Sequence, residues 1–254
     1  MNARRAVLGV LVLLLLAAVV AVAPKSQDPT YHRFADAGRA GPVPNAANVL
    51  SNLAFLAVGI WGVAVVLSPR TTTAFDEPWE RRPYALFFTA LVATAFGSAS
   101  YHWNPNDRTL FWDRLPMTVA FASLVTSVLA ERVDPRAARR LFLPLVGIGL
   151  GTILAWRFLD DLRPYVFLQA AAILVVLVST IFFRSRYPHG GFMAGLLAGY
   201  AAALLFELFD REVRSLLVVT GGHPLKHLAA AAGTACVAAM LRRRAAARAR
   251  NIAP

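Results

Sequence analysis

The chain has 254 residues, of which 57% are hydrophobic and only 16% charged. Soluble domains carry fewer apolar residues and about a quarter charged ones, so this balance excludes an ordinary soluble domain and a disordered chain alike. The formal net charge is +12, from 26 Lys and Arg against 14 Asp and Glu; in a polytopic membrane protein such an excess marks cytoplasmic loops and requires no nucleic-acid partner.

A spanning helix takes about 20 apolar residues, at about 1.5 Å each, to cross about 30 Å of hydrocarbon. Eight stretches approach that length, near 6–23, 46–67, 83–102, 113–131, 141–157, 164–183, 190–209 and 223–241. The polar connections, among them 68–83, 131–140 and 184–191, are short and rich in Arg, Pro or Gly, and none is long enough for a separate domain.

In chain order, Arg4 and Arg5 precede a first run that ends in Ala21-Val22-Ala23. This reads either as a retained helix or as a secretory signal with a small-residue cleavage site; Pro24 and the length of the run favour the helix. The third run carries Ser98 and, four residues on and so on the same face, His102, whereas Ser100 points away. Asp113 opens the fourth run, with Arg108 and Arg114 as alternative ion-pair partners. Gly147 and Gly151 in the fifth run, and Gly191, Gly195 and Gly199 in the seventh, have the spacing that lets helix backbones approach. Asp160 and Asp161 with Arg157 and Arg163 form a loop whose charges pair with one another.

Glu207 and Asp210 close the seventh run, either as groups that support the site or, the preferred reading, as a solvated helix end. The eighth opens with His223 and His227, four apart on one face, and leads into RRRAAARAR, an anchor beside anionic lipid. The lone cysteine, Cys236, makes no internal disulfide. Trp103, Trp112, Tyr101 and Tyr165 at one boundary, and Trp79 and Tyr84 at the other, read as interfacial anchors. His32 and His189 read as interfacial residues with polar tips.

If the start of the chain is cytoplasmic, 16 of the 26 basic residues lie on that side and 10 on the other. The positive-inside rule then places both termini in the cytoplasm, and His102, Asp113, His223 and His227 near the outer face. Ionisable groups inside spans are costly and are functional candidates by default. A His-x-x-x-His pair alone is a weak signal. A third histidine and a carboxylate at the same depth strengthen it, because three imidazoles with an open fourth position describe a catalytic zinc site.

These residues also resemble a known family. Ser98-x-x-x-His102, Asp113 eleven residues later and His223-x-x-x-His227 on the last helix are similar to the alkaline ceramidases, members of the CREST superfamily of seven-helix membrane hydrolases. YHRFAD (31–36), NAANVLSNLAFLAVG (45–59), GSASYHWNPNDRTLFWDRLPM (97–117) and GGHPLKH (221–227) resemble the bacterial branch, over residues 31 to about 240.

The resemblance implies a zinc ion on His102, His223 and His227, with Asp113 handling the proton of the attacking water and Ser98 holding that water or the oxyanion. One position departs from the family: Asn45 stands where a calcium-binding acidic residue is expected, and Asp28 and Asp36 are the only carboxylates in the preceding outer segment, so calcium has little support.

The expected protein is therefore an all-α polytopic membrane protein: an N-terminal apolar helix or signal (1–24), a seven-helix core (25–241) and a basic cytoplasmic tail (242–254). Its expected activity is zinc-dependent hydrolysis of a ceramide-like N-acylated lipid to a fatty acid and an amine, near the outer face of a bacterial inner membrane. Another acyl lipid, or a receptor-like zinc bundle that binds lipid without turnover, are the alternatives; no inverted repeat or broken midplane helix points to a transporter. The expected partner is a membrane lipid, with neither nucleic acid nor an obligate protein partner indicated.

Overall fold

The computed structural model describes residues 3–252, and they form helices and turns with no strand among them beyond the isolated bridge of Ala40 with Val43. The helices are α1 (Ala3–Ala21), α2 (Ala46–Ser51), α3 (Leu53–Leu67), α4 (Arg81–Trp103), α5 (Asp107–Arg132), α6 (Pro135–Leu159), α7 (Arg163–Phe182), α8 (Phe192–Leu208), α9 (Asp210–Leu217) and α10 (Gly222–Ile252). Short 3-10 turns lie at Pro29–His32, Pro69–Ala74 and Pro78–Glu80.

Among the described residues, six helical segments are long and apolar enough to cross a membrane, and a seventh arises if α8 and α9, bent by 82°, form one span. The protein is an all-α polytopic membrane protein. The fourth predicted run, α5, is long enough at 26 residues but carries charge at both ends, and its buried residues include Arg114, Ser123, Thr126, Ser127, Glu131 and Arg132. It packs against α4, α6 and α7, so its polarity faces protein rather than lipid.

Local chemistry sets the helix ends. Asn106 accepts a bond from the Thr109 N–H at 3.1 Å, and the Thr109 hydroxyl accepts one from the Asn106 N–H, a reciprocal cap that starts α5. Asp134 caps α6 by accepting from the Ala137 N–H at 2.9 Å, with Pro135 at the first helical position, where a missing N–H costs nothing.

Lipid offers no hydrophobic gain for helix association, so packing and internal polar bonds hold such a bundle together. The most extensive contacts are α4 on α5, α10 on α8, α5 on α6 and α3 on α4. A core of Val66, Tyr84, Phe88, Val128, Met193, Met240 and Leu241 fills the centre. Leu143, Phe158 and Phe182 stay exposed, toward the surrounding hydrocarbon. The helix α1 buries only Leu8 and leans on α7; Arg4 donates to the Arg132 carbonyl at 2.7 Å and Arg5 pairs with Asp134.

Several sequence readings change. Gly147 and Gly151 have open space around them, and it is Gly149 that meets the Thr118 backbone, because the buried face of α6 runs through Gly149, Thr152, Ile153 and Trp156. The seventh-run spacing does pack: Gly199 meets Gly233 and Gly195 meets Cys236, while Gly191 is open. Trp103 and Trp112 are exposed as anchors should be, but Tyr101, Tyr165, Trp79 and Tyr84 are buried, and the hydroxyls of Tyr101 and Tyr84 are bonded inside the protein.

The basic segment after 241 is the continuation of α10, and Arg244 is fully buried against Glu131 instead of facing lipid. The final residues, 253 and 254, lie outside the described part of the structure.

Candidate metal centre

Ser98 and His102 sit on the last two turns of α4, and Asp113 on the second turn of α5. Their proximity depends on a close backbone crossing: a Cβ on Gly97 would lie 2.2 Å from the Trp112 carbonyl oxygen and 3.2 Å from the Asp113 Cα. Pro116, four residues after Trp112, has no N–H to bond that carbonyl, which leaves it free to face the glycine. Ser98 therefore comes beside the Asp113 carboxylate.

A second crossing delivers the other histidines. A Cβ on Gly222 would meet the Phe206 carbonyl oxygen at 2.1 Å, so only glycine lets the start of α10 lie against the end of α8. Asp210 then accepts the His223 N–H at 2.8 Å, satisfying one of the free donors at the start of that helix, and also accepts the Ala35 N–H at 3.0 Å.

His102, His223 and His227 form a nearly equilateral triangle, with ring centroids 4.8, 5.0 and 5.0 Å apart. All three are buried, and one ring nitrogen of each lies within 4.8 Å of the other two. The Nδ1 atoms of His227 and His223 are held in place. The Ser51 hydroxyl donates to the Asn48 carbonyl at 3.0 Å, so toward His227 it acts as acceptor for Nδ1–H at 2.8 Å, leaving Nε2 with the lone pair. His223 Nδ1 lies 3.3 Å from Glu207, which also pairs with Lys226.

His223 Nε2 and both nitrogens of His102 are buried with no partner. Buried polar atoms are nearly always bonded, so His223 Nε2 and one orphaned nitrogen of His102, converging with a nitrogen of His227, fit a metal ion, and a hydrogen bond on the far ring atom, as on His227, is the usual support for such a ligand. Phe34 packs on His102 and His223 with centroids 4.7 and 4.8 Å away, and closes one side.

The triangle borders a cavity of about 400 Å³ whose wall includes Ser98, Asp113, Arg114, Glu207, Lys226 and His227 at one end. Farther in, the wall is apolar: Phe87 and Leu91 on α4, Leu124 on α5 and Leu196 on α8. From Ser98 to Phe87, or from Asp113 to Leu124, is 11 helical residues, about 16 Å and so roughly half the hydrocarbon thickness. Val166 on α7 and Leu204 on α8 line the cavity yet are 46% and 49% exposed, so it reaches the protein's flank between these sparsely touching helices.

All five sequence candidates thus lie at one end of the bundle: the histidines together, Asp113 and Ser98 together, and His227 on the same cavity wall as that pair. Asp113 forms no ion pair with Arg108 or Arg114 among the described residues. His32 lies apart, bonded to Tyr101 at 3.0 Å and Asp107 at 3.2 Å, and His189 is in a turn at positive φ. The loop pairing holds for Arg163 with Asp161 at 2.8 Å. Glu207 and Asp210 are not a free helix end but hold His223 by its ring and its backbone. Ser51 was missed in the sequence, and Asn45, read there only as a departure from a calcium position, donates to the His102 carbonyl at 2.9 Å. Asp28 caps the turn at Thr30, and Asp36 is buried beside Gly38, so neither joins the histidines. No family model matches this chain, and no curated protein does.

Proposed function

We propose that the protein is a zinc-dependent integral-membrane amidohydrolase of the alkaline ceramidase kind, cleaving an N-acylated lipid to a fatty acid and an amine. The observation that carries this reading is the convergence of free imidazole nitrogens beside a cavity that also presents an unpaired carboxylate and its serine. A purely structural metal site needs neither the carboxylate nor the adjoining cavity.

The donor set is all imidazole, which suits zinc and not calcium or magnesium. Zinc in such a site supplies a Lewis acid that acidifies water and polarises a carbonyl oxygen. Asp113 accepts the proton of the attacking water and passes it to the departing amine. Ser98 donates to that carboxylate and fixes its direction, or turns to the carbonyl oxygen as negative charge develops there. Ser51 and Glu207 hold the imidazoles of His227 and His223 in the tautomer that offers Nε2. The apolar wall takes the acyl chain, and the opening between α7 and α8 admits it sideways from the bilayer.

The basic residues around the far end of the bundle orient that end to the cytoplasm of a bacterial inner membrane and this centre toward the outer face. A cysteine at Asn106 in a Cys236→Ala background then reacts with an impermeant thiol reagent on intact cells, and one at Thr72 does not.

The activity is tested by loading purified protein with zinc in detergent and measuring amine release from N-acyl sphingoid lipids beside N-acyl amino-acid lipids and esters. Turnover of an amide supports the reading, and the panel identifies the lipid. Tight lipid binding with no turnover of any member would replace it with a receptor-like bundle.

A further inference from the structure

Arg114 follows Asp113 on α5 and is 6% exposed. Its guanidinium carbon lies 5.3 Å from the ring centre of Tyr31, 4.9 Å from Trp156 and 5.0 Å from Tyr165. Attraction to aromatic faces supports the charge but does not bond the N–H donors. Among the described residues no carboxylate pairs with it, and its Nη1 is buried without a hydrogen-bond partner. A buried donor left unbonded is unfavourable, and more so when charged.

The same residue forms part of the cavity wall that carries Ser98, Asp113 and His227. The other cation on that wall, Lys226, is already matched by Glu207. A guanidinium with an unbonded donor therefore belongs to the wall of a space with an apolar interior, and such a fork is the group that recognises a carboxylate through paired bonds. Asp113 and Glu207 on the same wall repel a doubly charged phosphate more than a singly charged acid.

We propose that Arg114 is a carboxylate-binding residue of this cavity, holding the acid group of an amphiphile whose chain lies along the apolar wall. The consequence for substrate choice rests on the hydrolase reading above: an acyl amide with an acid on its amine side, such as an N-acyl amino acid, is favoured over a neutral amide. A carboxylate also arises on the free fatty acid after cleavage, so the source must be separated by experiment.

Full-length protein carrying Asp113→Asn, so that no probe is consumed, is titrated calorimetrically in uncharged detergent with N-lauroylglycine, N-lauroylethanolamine and laurate. A charge-assisted bond of about 1.5–3 kcal/mol corresponds to roughly 10- to 100-fold in affinity, so N-lauroylglycine should exceed N-lauroylethanolamine by at least that lower figure. Arg114→Gln should collapse the ratio toward one. An Arg114-dependent gain for laurate alone assigns the site to the product acid.

Absence of preference for either acid, or a preference that survives Arg114→Gln, overturns the proposal. If Arg114→Gln does not fold, Arg114→Lys decides, since it keeps the charge but loses the fork: the ratio should fall several-fold, and an unchanged ratio overturns the proposal. Wild-type protein that hydrolyses no lipid while this preference persists would remove the hydrolase reading and leave the carboxylate site standing.

Discussion

At the end of the bundle away from the histidines, Glu131 accepts two bonds from Arg244 (2.6 and 3.2 Å), one from Tyr84 (2.5 Å) and one from Ser185 (3.3 Å). Arg132 donates to the Phe183 and Gly190 carbonyls at 2.7 and 2.9 Å, and the Tyr187 ring lies under Arg186, Arg244 and Arg248. At the other end both nitrogens of His102, His223 Nε2 and Arg114 Nη1 are buried and unbonded. Both ends bury charge or ligand atoms, but one spends nearly all of them on its own chain, leaving the Nε atoms of Arg132 and Arg244 and the hydroxyls of Ser179 and Thr180 over among the described residues, whereas the other turns them toward a shared space. A closed network is a structural device; an open one of the same polarity is the mark of a site.

The comparison breaks most sharply at Glu131. Glu131→Ala leaves Arg244 buried without its partner, and losing one member of a buried pair costs about 3–5 kcal/mol. The apparent unfolding temperature in detergent should fall steeply, and a fall no larger than that of an exposed-residue variant would show the network to be dispensable. Asp113→Asn, at the open end, should leave that temperature and the metal content near wild type while amine release drops about 10²- to 10⁴-fold. Glu207→Gln removes the charge that holds His223 Nδ1 and should weaken metal affinity about 10- to 100-fold, read by competition with a chelating dye.

The smallest effect belongs to Asp76, which lies outside the spans. Burial raises its pKa, but the bond and charge of Arg248, with Arg186 nearby, outweigh this and hold the carboxyl below its usual range. A lowered folded pKa contributes stability that is present above the unfolded value and is lost as pH falls through the folded one. With the side chain 46% exposed the contribution is at most about 1 kcal/mol. Asp76→Asn should therefore shave the unfolding temperature slightly at neutral pH and not at all in strong acid.

How much of this was legible in the sequence follows from which interactions are local. Runs of about 20 apolar residues set helix positions to within a few residues for most spans, and the 4-residue spacing of His223 and His227 sets a shared face whatever the helix packs on. The grouping of His102 with that pair was readable because polar groups at one membrane depth are few. The roles of Glu207 and Asp210 were readable only as the weaker alternative, and that of Ser51 not at all, because they depend on how α8 and α2 lie against α10. The same holds for Tyr84 and Arg244: their composition suits an interface or a tail, and only the neighbour Glu131, 47 and 113 residues away, draws them inside.

The central claim is that three imidazoles hold one metal ion, and metal content per chain tests it most directly. Purified wild-type protein should carry about one zinc, and His102→Ala or the double change His223→Ala with His227→Ala should carry none. Full zinc occupancy in the double variant would contradict the account.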